Sequence, residues 1–389
     1  MSTAEALRLP DLSGLPEPLA GAKLVVIKIG SALLVQEPQG TIRRAWLDAL
    51  ADDVAALRAA GKSVILVSSG SIAVGRRHLG LPEGVLKLEE KQASAATGQI
   101  RLAHAYQEAL ARHGITTAQI LLTPQDTEER RRHLNARATL STLVKLGACP
   151  VINENDTVAT AEIRYGDNDR LAARVAAMVG AEALILLSDI DGLYTADPRK
   201  DPNAAHIPLV ADVTAEIMAM GGAAPVGYSS GGMKTKLEAA KIALAGGCAM
   251  AIAKGVIDHP VSALAQGAKS TWFMAQEKPQ TARKRWIGGS LTPTGAVYVD
   301  AGAARALARG SSLLPAGVKR VEGGFERGDL ILVKDLDGVV LGRGLVAYGA
   351  QETNVIAGRK SDEIETLLGH RGRDELIHRD DLALELGRG

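Results

Sequence analysis

The chain has 389 residues, enough for two domains, and its 46% hydrophobic and 23% charged residues are the mix of a folded globular protein. A formal net charge of +1 gives no global pull toward nucleic acid or an anionic membrane, and 3% aromatic residues leave little for a base-stacking surface. No apolar run is long enough to span a bilayer, and Cys149 and Cys248 make neither a disulfide framework nor a metal-ligand spacing, which fits a reducing cytoplasm.

Residues 1–22 lack the basic start and apolar core of a signal peptide and read as a flexible lead. From Lys23 onward, apolar runs alternate with helical spacing. Leu24–Ile29 predicts a strand ended by Gly30, and Ala45–Ala60 a helix stopped by Gly61. Ser63–Val67 predicts a second strand, Lys91–Arg112 a helix and Thr117–Leu122 a third strand. Glu128–Leu146 reads as helix, followed by the strand that opens at Val151. Asp169–Val179 and Met233–Ala245 read as helices, each next to a strand, Ala183–Leu187 and Ala249–Ala253. Continuous apolar strands alternating with helices predict an α/β fold, a three-layer αβα sandwich on a mostly parallel sheet, over residues 23–275. The pattern changes near Thr271. Residues 276–290 are polar and basic and read as a linker. Residues 291–372 carry short glycine-rich strands, with helices at Ala301–Arg309 and Ser361–Leu368, and predict a small β-rich domain. Residues 373–389 read as a tail.

The run Val151–Leu171 is the richest in chemistry. A buried-type strand leads into Asn153, Glu154, Asn155 and Asp156, and later into Asp167, Asn168 and Asp169. Ligands of open α/β folds bind at the carboxyl edge of the sheet, where such a strand delivers these groups. Carboxylates can hold an ammonium group and amides can orient it; the competing reading is a polar turn. Lys28 sits inside an apolar strand, where it needs an anion, such as a phosphate, or a route to water. Ser68, Ser69, Gly70 and Ser71 follow the second strand and suit either a helix cap or a carboxylate site at a helix start. Ser230, Gly231, Gly232, Met233, Lys234, Thr235 and Lys236 form a glycine turn running into a helix with lysines, a cradle for a polyphosphate or an ordinary surface loop. Ser188 and Asp189 end the Ala183–Leu187 strand, where they can meet a nucleotide or form a turn. Gly61-Lys62-Ser63 is no phosphate loop, because Ala56 stands where that motif needs glycine. The histidines show no metal-ligand spacing, and no G-x-S-x-G elbow is present.

Taken in order, VVIKIGS, VILVSSGSIAVGRRHLG, LNARATL, CPVINENDTVATAEI, YGDNDRLAA, SDIDGLYTADPR and GGMKTK resemble the amino acid kinase family across Lys23 to Ala275. The segments RGSSLLPAGVKRVEG, FERGDLI and HRDD resemble a PUA domain. The resemblance implies transfer of the γ-phosphoryl group of ATP to the side-chain carboxylate of L-glutamate, the first step toward proline, with Mg²⁺ carried mainly by the ATP phosphates. It implies that Lys28 and Lys236 touch the phosphates and that Asp169 positions them. It assigns Ser69, Gly70, Asn153, Asp156, Asp167 and Asn168 to the acid substrate. Ser188, Asp189 and the stretch from Ser230 through Lys236 fall to ATP. It also implies a homo-oligomer and feedback inhibition by proline, and it leaves an RNA contact through the PUA-like domain open; the lack of a long apolar run predicts no membrane contact. Aspartate, N-acetylglutamate, carbamate and a nucleoside monophosphate stay open as acceptors, as do an RNA-binding protein and a catalytically inactive amino-acid sensor. Ser188 stands where threonine is common in the family, and Ser229-Ser230 where Gly-Thr is common.

Overall fold

Alternation of apolar strands and helices builds the first part of the chain in the computed structural model, which describes residues 9–36, 39–158, 168–222, 232–289 and 292–385. The chain divides into two units between Pro279 and Gln280. The first holds an eight-stranded sheet. From edge to edge its strands are Thr117–Leu122, Cys149–Glu154, Ser63–Ser68, Leu24–Ile29, Ala183–Ser188, Ala249–Lys254, Ser270–Phe273 and Leu209–Val210. The first six run parallel; Ser270–Phe273 runs antiparallel to Ala249–Lys254 and carries Leu209–Val210 parallel beside it. After Leu24–Ile29 the chain builds outward to one side, then returns at Ala183–Ser188 to build the other. That reversal opens a crevice at the carboxyl ends of these two central strands, the usual ligand position in such sheets.

Strand parity decides which side chains meet there. Val25, Ile27 and Ile29 pack with Leu66, Val151 and the helices Arg44–Ala59 and Leu88–Ala111 on one face. Val26 packs with Val67, Ile152, Leu186 and the helices Asn168–Val179 and Met233–Ala245 on the other. Side chains alternate along a strand, so Lys28 points to the same face as Val26, toward the starts of those last two helices. By the same alternation Ser68 and Asn153 point toward the Leu88–Ala111 helix.

Three expectations are corrected. The described part of the lead is docked: Leu12 and Leu15 lie against the core, and Leu19, in the short Glu17–Ala20 helix, is fully buried. These leucines give the segment an apolar side that its prolines and glycines masked. The polar stretch read as a linker is helical from Pro279 to Gly289, with Ala282 and Ile287 buried. Its Arg283 donates to Asp381 through Nε at 3.0 Å and Nη2 at 2.5 Å, so this helix is held to the HRDD segment near the chain's end. Asp381 is itself buried, so residues 373–385 are built into the second unit and do not form a loose tail.

That unit carries a five-stranded sheet in the order Val318–Gly323, Gly295–Val299, Leu330–Lys334, Val340–Leu345 and Leu382–Leu384. It has its own core, centred on Val297, Ile331, Val333, Tyr348 and Ile377. Among the described residues no helix is long and apolar enough to cross a membrane.

Candidate functional site

Lys28 reaches the crevice from the central strand and Lys236 from the first turns of the Met233–Ala245 helix; both are buried. Between them stands Asp169, fully buried, on the first turn of the Asn168–Val179 helix. Lys28 Nζ lies 2.5 Å from Asp169 Oδ1, and Lys236 Nζ donates to Asp169 Oδ2 at 2.9 Å. Burial alone would push the Asp169 carboxyl up, but the ammonium groups of Lys28 and then Lys236 outweigh it and hold the group well below the usual carboxylate range. Each ammonium has three donors, so bonding to Asp169 leaves each able to take further acceptors. Two cations on one anion leave the cluster with an excess positive charge, the electrostatic form of a phosphate site. Thr235 strengthens it: its hydroxyl lies 2.8 Å from the Gly232 carbonyl and 3.3 Å from Asp169 Oδ2. Gly232 caps the helix in extended conformation with no side-chain bond, and the first-turn N–H groups of a helix capped in this way can accept an anion.

Asn168, the residue before Asp169, serves a second cluster. Its amide nitrogen lies 2.6 Å from Ser68 O, 2.9 Å from Ser69 Oγ and 2.8 Å from Asn153 Oδ1. Asn153 in turn donates to Gln99 Oε1 at 2.8 Å and lies 3.3 Å from Ser71 Oγ. Tyr106 donates to Ser68 Oγ at 2.9 Å. Asn153 and Asn168 are both buried, which makes this a satisfied polar network that fixes side-chain directions. Gly70 turns the chain there with φ +105°, and a Cβ on it would come within 2.8 Å of Val35 Cγ2, so glycine is needed for both reasons. Asp156 is half-buried, two residues beyond the Cys149–Glu154 strand at the same sheet edge.

On the other side of Lys28, buried Ser188 ends its strand and its hydroxyl donates to Asp189 Oδ1 at 3.0 Å. Asp189 is exposed, with Arg199 3.7 Å away. Met233 is half-buried and Lys234 exposed. Asp167, Ser229, Ser230 and Gly231 lie outside the described residues. Two contributors to this network escaped the sequence reading, Gln99 and Tyr106, while Ser68 and Ser71 belong to the hydroxyl-rich stretch it singled out. Gln99 and Tyr106 sit at helical spacing in a long amphipathic helix, and nothing in that pattern separates them from surface or core positions. Among the described residues no group of three or more His, Cys, Asp or Glu could hold a metal.

Residues 23–254 match the amino acid kinase family, and residues 295–368 match the PUA domain. A protein of Paramagnetospirillum magneticum named glutamate 5-kinase is 65% identical over 95% of this chain and 99% of that relative. Proteins of the same name from Gluconobacter oxydans and Rhodospirillum rubrum are each 60% identical, over 95% and 92% of this chain and 97% and 96% of their own lengths.

Proposed function

Because the chain belongs to the amino acid kinase family and carries a C-terminal PUA domain, we propose that it transfers the γ-phosphoryl group of ATP to the side-chain carboxylate of L-glutamate, giving L-glutamyl 5-phosphate. One observation carries the reading. Two adjacent side chains at one helix start face two different clusters, Asp169 the buried lysine pair and Asn168 the amide and hydroxyl network. On this reading donor and acceptor sites share one pivot, which suits in-line transfer between two bound groups.

The chemistry follows from charge. An ionised carboxylate attacking a phosphoryl group brings two anions together, and no general base is needed at neutral pH. Lys28 and Lys236 neutralise the phosphoryl oxygens and the charge that moves to the leaving phosphate. Asp169 holds both ammonium groups in place before the substrates arrive. Ser69, Asn153 and Asn168 orient the acid substrate, and Asp156 supplies a countercharge for its α-ammonium group. Ser188, Asp189 and the Gly232–Lys236 turn hold the nucleotide. The donor set around the lysines is cationic, so Mg²⁺ would come bound to the ATP phosphates, where it adds charge neutralisation. Both cysteines are free and buried, and burial pushes the Cys149 thiol up to about 12, so it is a poor nucleophile and takes no part in the transfer.

A coupled assay of ADP release with glutamate, aspartate, N-acetylglutamate and carbamate tests the acceptor. Glutamate is expected to support turnover well above the other three; faster turnover with any other acid overturns the assignment.

A further inference from the structure

The Arg44–Ala59 helix carries two polar side chains that take no part in either cluster, Trp46 and Asp53, two turns apart on one face and both buried. Both reach the segment that follows the Ala249–Lys254 strand. Trp46 Nε1 donates to Gly255 O at 2.7 Å and to Ile257 O at 3.0 Å. Asp53 Oδ2 accepts from the backbone N–H of Val261 at 2.7 Å, and its Oδ1 accepts from the Ser262 hydroxyl. His259 Nδ1 lies 3.6 Å from the same oxygen. His259 adopts φ +51°, a left-handed backbone that a non-glycine residue directly before proline holds only when its surroundings impose it.

The segment so held abuts the nucleotide side of the crevice. Lys254 pairs in register with Ser188, and Gly255 N donates to Ser188 O at 2.7 Å. A Cβ on Gly255 would lie 2.5 Å from Leu33 Cδ1 and 2.9 Å from Leu187 Cβ. Leu33 belongs to the turn that starts at Gly30, and a Cβ on Gly30 would lie 3.9 Å from Lys28 Nζ. Displacing Gly255 therefore displaces the strand end at Ser188 and the Gly30 turn together.

We propose that Asp53 is a positioning residue for ATP: with Trp46 it pins the Gly255–His259 loop and the start of the Pro260–Ala265 helix, and through Gly255 it sets the place of Ser188 and the Gly30 turn. The proposal rests on the nucleotide assignment made above, and the hydrogen bonds of Asp53 and Trp46 go to the 255–262 segment and not to the Asn153–Asn168 network.

The test compares Asp53→Ala, Asp53→Asn and Trp46→Phe in the full-length protein. Asp53→Ala is expected to raise the KM for ATP about fivefold or more while the KM for glutamate stays within about twofold. Asp53→Asn keeps an oxygen for the Val261 N–H and should recover most of the loss. Trp46→Phe keeps an aromatic ring, removes the bonds to Gly255 O and Ile257 O and should move the same constant. Arg58→Ala, on the same helix but bonded to Gly147 O, controls for loss of stability alone and should leave both KM values unchanged. Should Asp53→Ala fail to fold, Asp53→Asn and Trp46→Phe carry the comparison. Folded variants with an unaltered KM for ATP, or with both KM values rising equally, would overturn the proposal. Calorimetric binding of a non-hydrolysable ATP analogue without acid substrate separates the two readings. Nucleotide affinity that depends on Asp53 in a protein that phosphorylates no glutamate would uphold the brace and sink the acceptor assignment.

Discussion

Asp169 bonds two lysines at once, and loss of its charge would leave two ammonium groups facing each other in a buried place. Asp169→Asn should therefore abolish most turnover and destabilise the fold by about 3–5 kcal/mol near neutral pH, the scale for breaking a buried ion pair. The pH dependence has a definite sign. The lysines depress the folded-state pKa of Asp169 below its unfolded value. The stabilisation is then fully present above the unfolded value of about 3.9 and is lost as pH falls through that value toward the folded one. Urea unfolding of wild type and variant should show a gap that is constant between about pH 6 and 8 and shrinks below about pH 4. A gap that widens on acidification contradicts this account. Lys28 was legible as a residue in need of an anion, because an ammonium inside an apolar strand has few other fates. Gln99 was not, because a glutamine in a long helix is unremarkable until the fold brings Asn153 beside it.

Between elements, the helices Ser71–His78 and Leu88–Ala111 approach closely where Gly75 meets Gly98. A Cβ on Gly98 would lie 1.8 Å from Ser71 O and 2.7 Å from Gly75 N, both backbone atoms that cannot rotate away. Gly98→Ala should cost about 1–3 kcal/mol, or more where the backbone resists. Because Ser71 and Gln99 flank that contact and both reach Asn153, the KM for glutamate should rise while that for ATP holds. An unchanged KM for glutamate in a destabilised variant would detach this helix contact from the acid substrate. The parallel strands and their helices were readable because each apolar run is continuous and each helix has its period. The Ser270–Phe273 strand was not, since four residues running antiparallel lie where the βα rhythm stops. The Pro279–Gly289 helix hid for a different reason: two buried side chains in eleven residues leave hardly any apolar period to read.

At the scale of the molecule, every residue assigned to the reaction precedes Pro279, and the second unit has a core of its own. A chain ending at Pro279 is expected to stay folded and keep glutamate-dependent turnover, as specific activity and circular dichroism would show. A soluble truncated protein with an intact spectrum and no turnover would make the second unit part of the catalytic machinery. The central claim is the identity of the phosphoryl acceptor, and its product can be trapped. With ATP, Mg²⁺, L-glutamate and hydroxylamine, an acyl phosphate is converted to a hydroxamate that can be measured by its iron complex. Glutamyl hydroxamate is expected to form in step with ADP and to be lost in Asp169→Asn. ADP release without hydroxamate, or hydroxamate formed from another acid but not from glutamate, would contradict the claim.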